Sequence, residues 1–204
     1  MTWPIIENDL AKKSYLKRGF KAKAERMSKK FRHELGLNFN EPLCGFELAN
    51  HLNIEVIDPE KLGFNSDQLD ILMGNEKDSS GWSALTMTDQ NNRKIIIHNS
   101  RSSKARQQSD LMHELAHIIC EHEIYVPKGV VLPSYMRYYN KSQEEEAEYL
   151  GAALQLPRES LLWALTKGKM VKRDVAINYT ASLEMVSYRI NSTGILKQLK
   201  YVKG

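Results

Sequence analysis

Cysteine is almost missing from this chain, with Cys44 and Cys120 the only two thiols in 204 residues. Two are too few for a disulfide framework, so both read as reduced, Cys120 as a small apolar residue on a helix. Long apolar runs are missing as well. No stretch approaches the roughly 20 residues that a membrane-spanning helix needs. The opening Met1-Thr2-Trp3-Pro4-Ile5-Ile6-Glu7-Asn8-Asp9 lacks the positive and then apolar regions of an export signal, so a cytoplasmic protein is expected. Compositional extremes are absent too: 42% hydrophobic and 26% charged residues exclude the disordered and fibrous classes. The length fits one domain, 1–204, with a sizeable core.

The net charge of +4 is mild but unevenly spread. Lys12, Lys13, Lys17, Arg18, Lys21, Lys23, Arg26, Lys29, Lys30 and Arg32 are opposed within their span only by Glu25. Leu16, Phe20, Ala24, Met27 and Phe31 recur at helical spacing there, which predicts an amphipathic helix from about Ser14 to His33, ending near Gly36. The cations then form its solvated outer face. The N-terminal arm, about 1–36, is thus basic and helical, and contact with nucleic acid or an acidic partner is the second reading.

Further along, Phe46–Leu52 reads as a short helix, Ile54–Ile57 as a strand, and Glu60–Leu72 as helical, with a loop at 74–78. Trp82–Met87 and Lys94–His98, joined by Asp89-Gln90-Asn91-Asn92, predict a β-hairpin. The segment 123–140 holds two prolines and a glycine among tyrosines, and reads as an irregular rim that contacts substrate. Helices follow from Ser142 or Asn140 to Pro157, from Arg158 to Leu165, and in a helix-turn-helix pattern over 171–190.

The chemistry is concentrated in Asp110-Leu111-Met112-His113-Glu114-Leu115-Ala116-His117-Ile118-Ile119-Cys120, part of a helix predicted over about 102–121. Residues four apart share a helix face, so His113 and His117 can each offer an imidazole nitrogen to one Zn²⁺. Such an ion acidifies a bound water, and Glu114 beside it can take the proton. A third ligand is required. The acidic cluster Glu144-Glu145-Glu146-Ala147-Glu148, opening a second helix, supplies a carboxylate. Glu144 can reach the metal while Glu148, one turn on, accepts the outer N–H of a ligating histidine. Acids at a helix N-terminus also arise simply because they complement its dipole.

Taken together, His113-Glu114-Leu115-Ala116-His117 and Glu144-x-x-Ala147-Glu148-x-x-x-Ala152-Ala153-Leu154-x-Leu156-Pro157 resemble the ImmA/IrrE family of zinc metallopeptidases. The likeness extends to Phe46–Ile54 and from Ile95 through Arg106 to His113. It implies an α+β fold, mainly helical and zincin-like, with a small β-sheet before the HExxH helix. It further implies that His113, His117 and Glu144 bind Zn²⁺, with Glu145 and Glu146 as alternatives to Glu144, and that Glu114 is the general base. Where the family usually carries Asn or Asp, this chain has Glu148, and Leu150-Gly151 stands where Phe-Ala is frequent. Family members cleave transcriptional repressors of mobile elements or stress regulons, so a repressor is the expected substrate. The helix-turn-helix pattern generally belongs to the peptidase body in this family, and direct nucleic-acid binding is not expected. His98, His122, Tyr138 and Tyr139 are candidates to stabilise the oxyanion. The competing readings are a non-cleaving module that sequesters a repressor, which would not need Glu114, and a DNA-binding protein.

Overall fold

Ser103 accepts a hydrogen bond from the Arg106 amide and so starts helix α4 (Lys104–Ile119). Its apolar residues Leu111, Met112, Leu115 and Ala116 are completely buried. The computed structural model describes residues 14–74, 82–122 and 140–202. Against α4 lies α5 (Lys141–Gln155), which buries Ala147, Leu150, Ala153 and Leu154. The two backbones run very close, because a Cβ on Gly151 would lie 3.0 Å from the Met112 carbonyl oxygen and 3.1 Å from the His113 nitrogen. Glycine at 151 is therefore what allows α5 to approach the turn of α4 that carries His113.

A sheet precedes α4. Strands β1 (Glu55–Ile57), β2 (Ala84–Thr88) and β3 (Lys94–His98) lie in the order β1-β3-β2, with β1 parallel and β2 antiparallel to β3. The expected hairpin forms. The Asp89 carboxylate fixes its turn by accepting from the Asn91 and Arg93 amides. Bonded pairs at Asp89–Arg93 and Ser83–Asn99 set the alternation along β2. Counting inward by twos, Thr86 opposite Ile96 is a non-bonded pair, so the Thr86 N–H points away from β3.

Helix α1 (Phe20–Glu34) begins later than its apolar spacing predicts, because Gly19 sits in the left-handed region at φ 86°. It does end as expected, with Gly36 at φ 70°. Phe20, Ala24 and Phe31 are buried in one cluster with α4, α5, Ile96 and α2 (Gly45–His51). Ser28 donates to the Ala153 carbonyl at 2.7 Å, joining α1 to α5. The cations Arg18, Lys21, Lys23, Arg26, Lys29 and Lys30 are exposed as expected, but Arg32 is buried and donates to the Ser28 hydroxyl and the Gln155 carbonyl. A single helix over 60–72 is not what forms. Pro59–Leu62 makes a 3-10 turn, Gly63 reverses the chain at φ 78°, and a capping box between Asn65 and Gln68 starts α3 (Ser66–Met73) afresh. The loop at 75–78 and the rim at 123–139 lie outside the described residues.

A second cluster gathers α6 (Arg158–Thr166), α7 (Lys172–Asn178), α8 (Leu183–Ser192) and α9 (Ile195–Val202), the last not foreseen from sequence. The helix-turn-helix is α7 and α8, which bury Val175, Ala176, Val186 and Ile190. The clusters are tied through charge. Arg189 on α8 is fully buried, meets Glu25 of α1 at 2.5 Å and donates to the Leu156 carbonyl at 2.8 Å, while Glu25 also accepts from the Arg158 amide at 2.8 Å. Among the described residues no helix is long and apolar enough to cross a membrane.

Candidate metal centre

One turn of α4 places the Nε2 atoms of His113 and His117 3.1 Å apart. The third donor comes from α5. The Asn140 side chain caps that helix by accepting from the Ser142 and Gln143 amides, which sets Glu144 in the first turn, facing α4. A Glu144 carboxylate oxygen lies 3.3 Å from His113 Nε2 and 3.5 Å from His117 Nε2. Two donors each about 2.0–2.1 Å from a tetrahedral Zn²⁺ stand roughly 3.3–3.4 Å apart, so these separations suit one small ion. His113, His117 and Glu144 are the one group of three such donors among the described residues. The residues fit a divalent metal.

The family described as the IrrE N-terminal-like domain (Peptidase_M78) matches residues 67–191, more than half of the chain and inclusive of both helices that carry these donors. The chain belongs to the ImmA/IrrE family of metallopeptidases. Among curated proteins no sequence matches it. As an ImmA/IrrE metallopeptidase it acts on a protein substrate, and its fold is the mainly helical α+β arrangement with a small mixed sheet ahead of the HExxH helix.

Glu114, next to His113 in sequence, is buried and turned toward β2. Its Oε2 accepts from the Thr86 amide at 2.9 Å and from the Thr86 hydroxyl at 2.5 Å. Sequence reading missed Thr86, since a threonine in a strand carries no signal of such a role. It is the outward N–H of that non-bonded strand pair that Glu114 uses.

The remaining candidates separate. His122 packs behind His117, with Nδ1 3.0 Å from His117 Nδ1 and Nε2 3.2 Å from Glu146 Oε2. Glu148 is exposed and does not reach the histidines, so the carboxylate on the outer side of His117 is Glu146, through His122. Glu145 instead accepts from the Tyr15 amide at 2.7 Å. His98 stands edge-on to Phe46, 5.2 Å between ring centres, and burial lowers its pKa against the opposing pull of Asp58. His98 is not part of the metal group, which is formed by His113, His117 and Glu144. Tyr138 and Tyr139 lie outside the described residues.

The charges predict how metal affinity depends on pH. Hydrogen bonds from His113 and His117 hold the Glu144 carboxyl far below its usual range. Burial opposes a charge on His113, but Glu144, Glu114 and Asp110 outweigh it and raise its pKa. A depressed carboxylate contributes stability above its ordinary 4.5 and loses it as pH falls through the lowered value. A raised histidine contributes below its ordinary 6.5 and loses it as pH rises through the raised value. Without metal, the cluster is therefore most stabilising between those two ordinary values. Metal must displace the histidine protons. The rise in Tm on adding saturating Zn²⁺ is expected to be clearly larger at about pH 7.5 than at about pH 5.5, measured by differential scanning fluorimetry. A gain equal at both pH values would refute this account.

Proposed function

We propose that this protein is a zinc-dependent endopeptidase that cleaves a transcriptional repressor, and so controls a mobile element or a stress response. The observation that carries the reading is the convergence of two imidazole nitrogens and one carboxylate oxygen within 3.1–3.5 Å of one another, with a second carboxylate adjacent on the same helix. That extra acid is not needed to hold the ion, which leaves it available as a general base. His113, His117 and Glu144 are assigned as ligands and Glu114 as the base. The whole chain is read as one peptidase unit, supported by α1 sharing its core with α4 and α5.

When bound, Zn²⁺ supplies a Lewis acid that polarises the scissile carbonyl. Glu114 takes a proton from the attacking water and returns it to the leaving nitrogen, so one carboxylate serves first as base and then as acid. Thr86 orients Glu114 by holding one carboxylate oxygen with two donors. The repressor substrate rests on the family likeness.

The test is direct. Candidate repressors incubated with the protein are expected to yield two defined fragments by mass spectrometry, to resist cleavage after 1,10-phenanthroline treatment, and to be cut again when Zn²⁺ is restored. Cleavage that persists in the fully metal-stripped protein would sink the assignment. Tight repressor binding without fragments would favour the sequestering module instead.

A further inference from the structure

We propose that His122 and Glu146 are positioning residues that fix which nitrogen of His117 carries its proton, and so which nitrogen faces the metal. The proposal rests on the metallopeptidase reading above and goes beyond it to two residues outside the ligand set. Three side chains stand in line. His117 Nδ1 is 3.0 Å from His122 Nδ1, and His122 Nε2 is 3.2 Å from Glu146 Oε2. The rings of His117 and His122 meet edge to face, 5.0 Å between centres. The line is enclosed, with side chains only 10%, 6% and 9% exposed for His117, His122 and Glu146.

Elementary hydrogen-bond chemistry gives this line a direction. A carboxylate only accepts, so the His122 nitrogen facing Glu146 carries a proton. Neutral His122 then offers a lone pair at Nδ1, which obliges His117 to donate from its own Nδ1. With the metal bound, His117 Nε2 then turns its lone pair toward the point where His113 and Glu144 also converge. Reversing the line would set a lone pair of His122 against a buried carboxylate, at a distance where a hydrogen bond is otherwise available. Lys17 Nζ, largely exposed, lies 3.9 Å from Glu146 Oε1, which accepts no hydrogen bond from the described residues.

Two outer partners act here where one carboxylate is the simpler arrangement. Helix α5 contributes Glu144 to the metal group, and His122, just past the end of α4, spans from Glu146 to the far side of His117. The chain turns into this position through Glu121 at φ 54°, and the His122 amide donates to the His117 carbonyl at 3.0 Å.

Two measurements on the full chain test this. In the Zn²⁺-loaded wild type, ¹⁵N histidine NMR is expected to show His117 protonated at Nδ1 and metal-bound through Nε2, and His122 protonated at Nε2. Metal on His117 Nδ1, or a proton on His122 Nδ1, overturns the proposal. The second measurement is Zn²⁺ affinity by chelator competition. His122→Phe keeps the ring but neither polar atom, and is expected to lose about 10–100-fold in affinity. His122→Gln can accept from His117 and donate to Glu146, and is expected to recover most of that loss. Equal losses in both variants, or none in either, overturn the proposal. Should His122→Phe fail to fold by circular dichroism, Glu146→Leu against Glu146→Gln gives the same comparison and the NMR result stands by itself. Failure of the parent reading looks different: the wild type would then bind Zn²⁺ no better than His117→Ala does.

Discussion

Glu114→Gln is expected to slow repressor cleavage by about 10²–10⁴-fold, the usual contribution of a positioned acid–base group, while leaving bound zinc at the wild-type level. The substitution is nearly isosteric. Its amide oxygen can still accept from the Thr86 amide and hydroxyl, so the side chain keeps its place, but it has no affinity for a proton under working conditions. Glu114→Ala removes the acceptor as well, and with it both hydrogen bonds from Thr86, at a cost of about 1–3 kcal/mol of stability. The two variants therefore divide chemistry from folding: both lose cleavage, and only the alanine variant also melts earlier. Cleavage rates from a time course, zinc stoichiometry and thermal melts settle the matter together. Cleavage that survives both changes takes Glu114 out of the reaction.

The second large effect concerns stability rather than turnover. Glu25→Ala leaves Arg189 charged and fully buried with its main partner gone, and strips the acceptor from the Arg158 amide at the start of α6. Breaking a buried ion pair from one side costs about 3–5 kcal/mol. Glu25 keeps some exposure, with its side chain 23% accessible, so the lower end applies. At roughly 2–4 °C per kcal/mol for a chain of this size, Tm is expected to fall by about 6–12 °C. The double variant Glu25→Leu/Arg189→Met removes both charges and is expected to lose less than Glu25→Ala alone, because no charge is then left without a partner. A single-variant Tm within 1 °C of the wild type would show that the pair does not hold the two clusters together.

Short-range regularities made much of the architecture readable before any coordinates. The HExxH helix, the hairpin and the capped helix that carries Glu144 follow from period, caps and turn residues, all of which act within a few positions. The corrections have local causes of a subtler kind. Gly19 delays α1, and Gly63 with the Asn65 capping box divides what the apolar count joins. Contacts distant in sequence were not legible. The parallel pairing of Glu55–Ile57 with β3 and the bond from Thr86 to Glu114 depend on tertiary placement that no spacing encodes. Glu148 shows the limit of reasoning from one face of a helix. Residues four apart differ by about 40° around the axis, and Glu144 already lies at the edge of the face that meets α4. The extra rotation carries Glu148 into solvent, while Glu146 on the opposite edge is drawn inward to His122.

The three donors His113, His117 and Glu144 spring from a single pair of helices whose backbones nearly touch at Gly151. Such a framework has no soft joint: prising the donors apart would mean opening the hydrophobic centre of the molecule, the region that costs most to unfold. A brake on this peptidase is therefore expected to act on what enters the site, polypeptide or ion, and not by pulling the three donors apart.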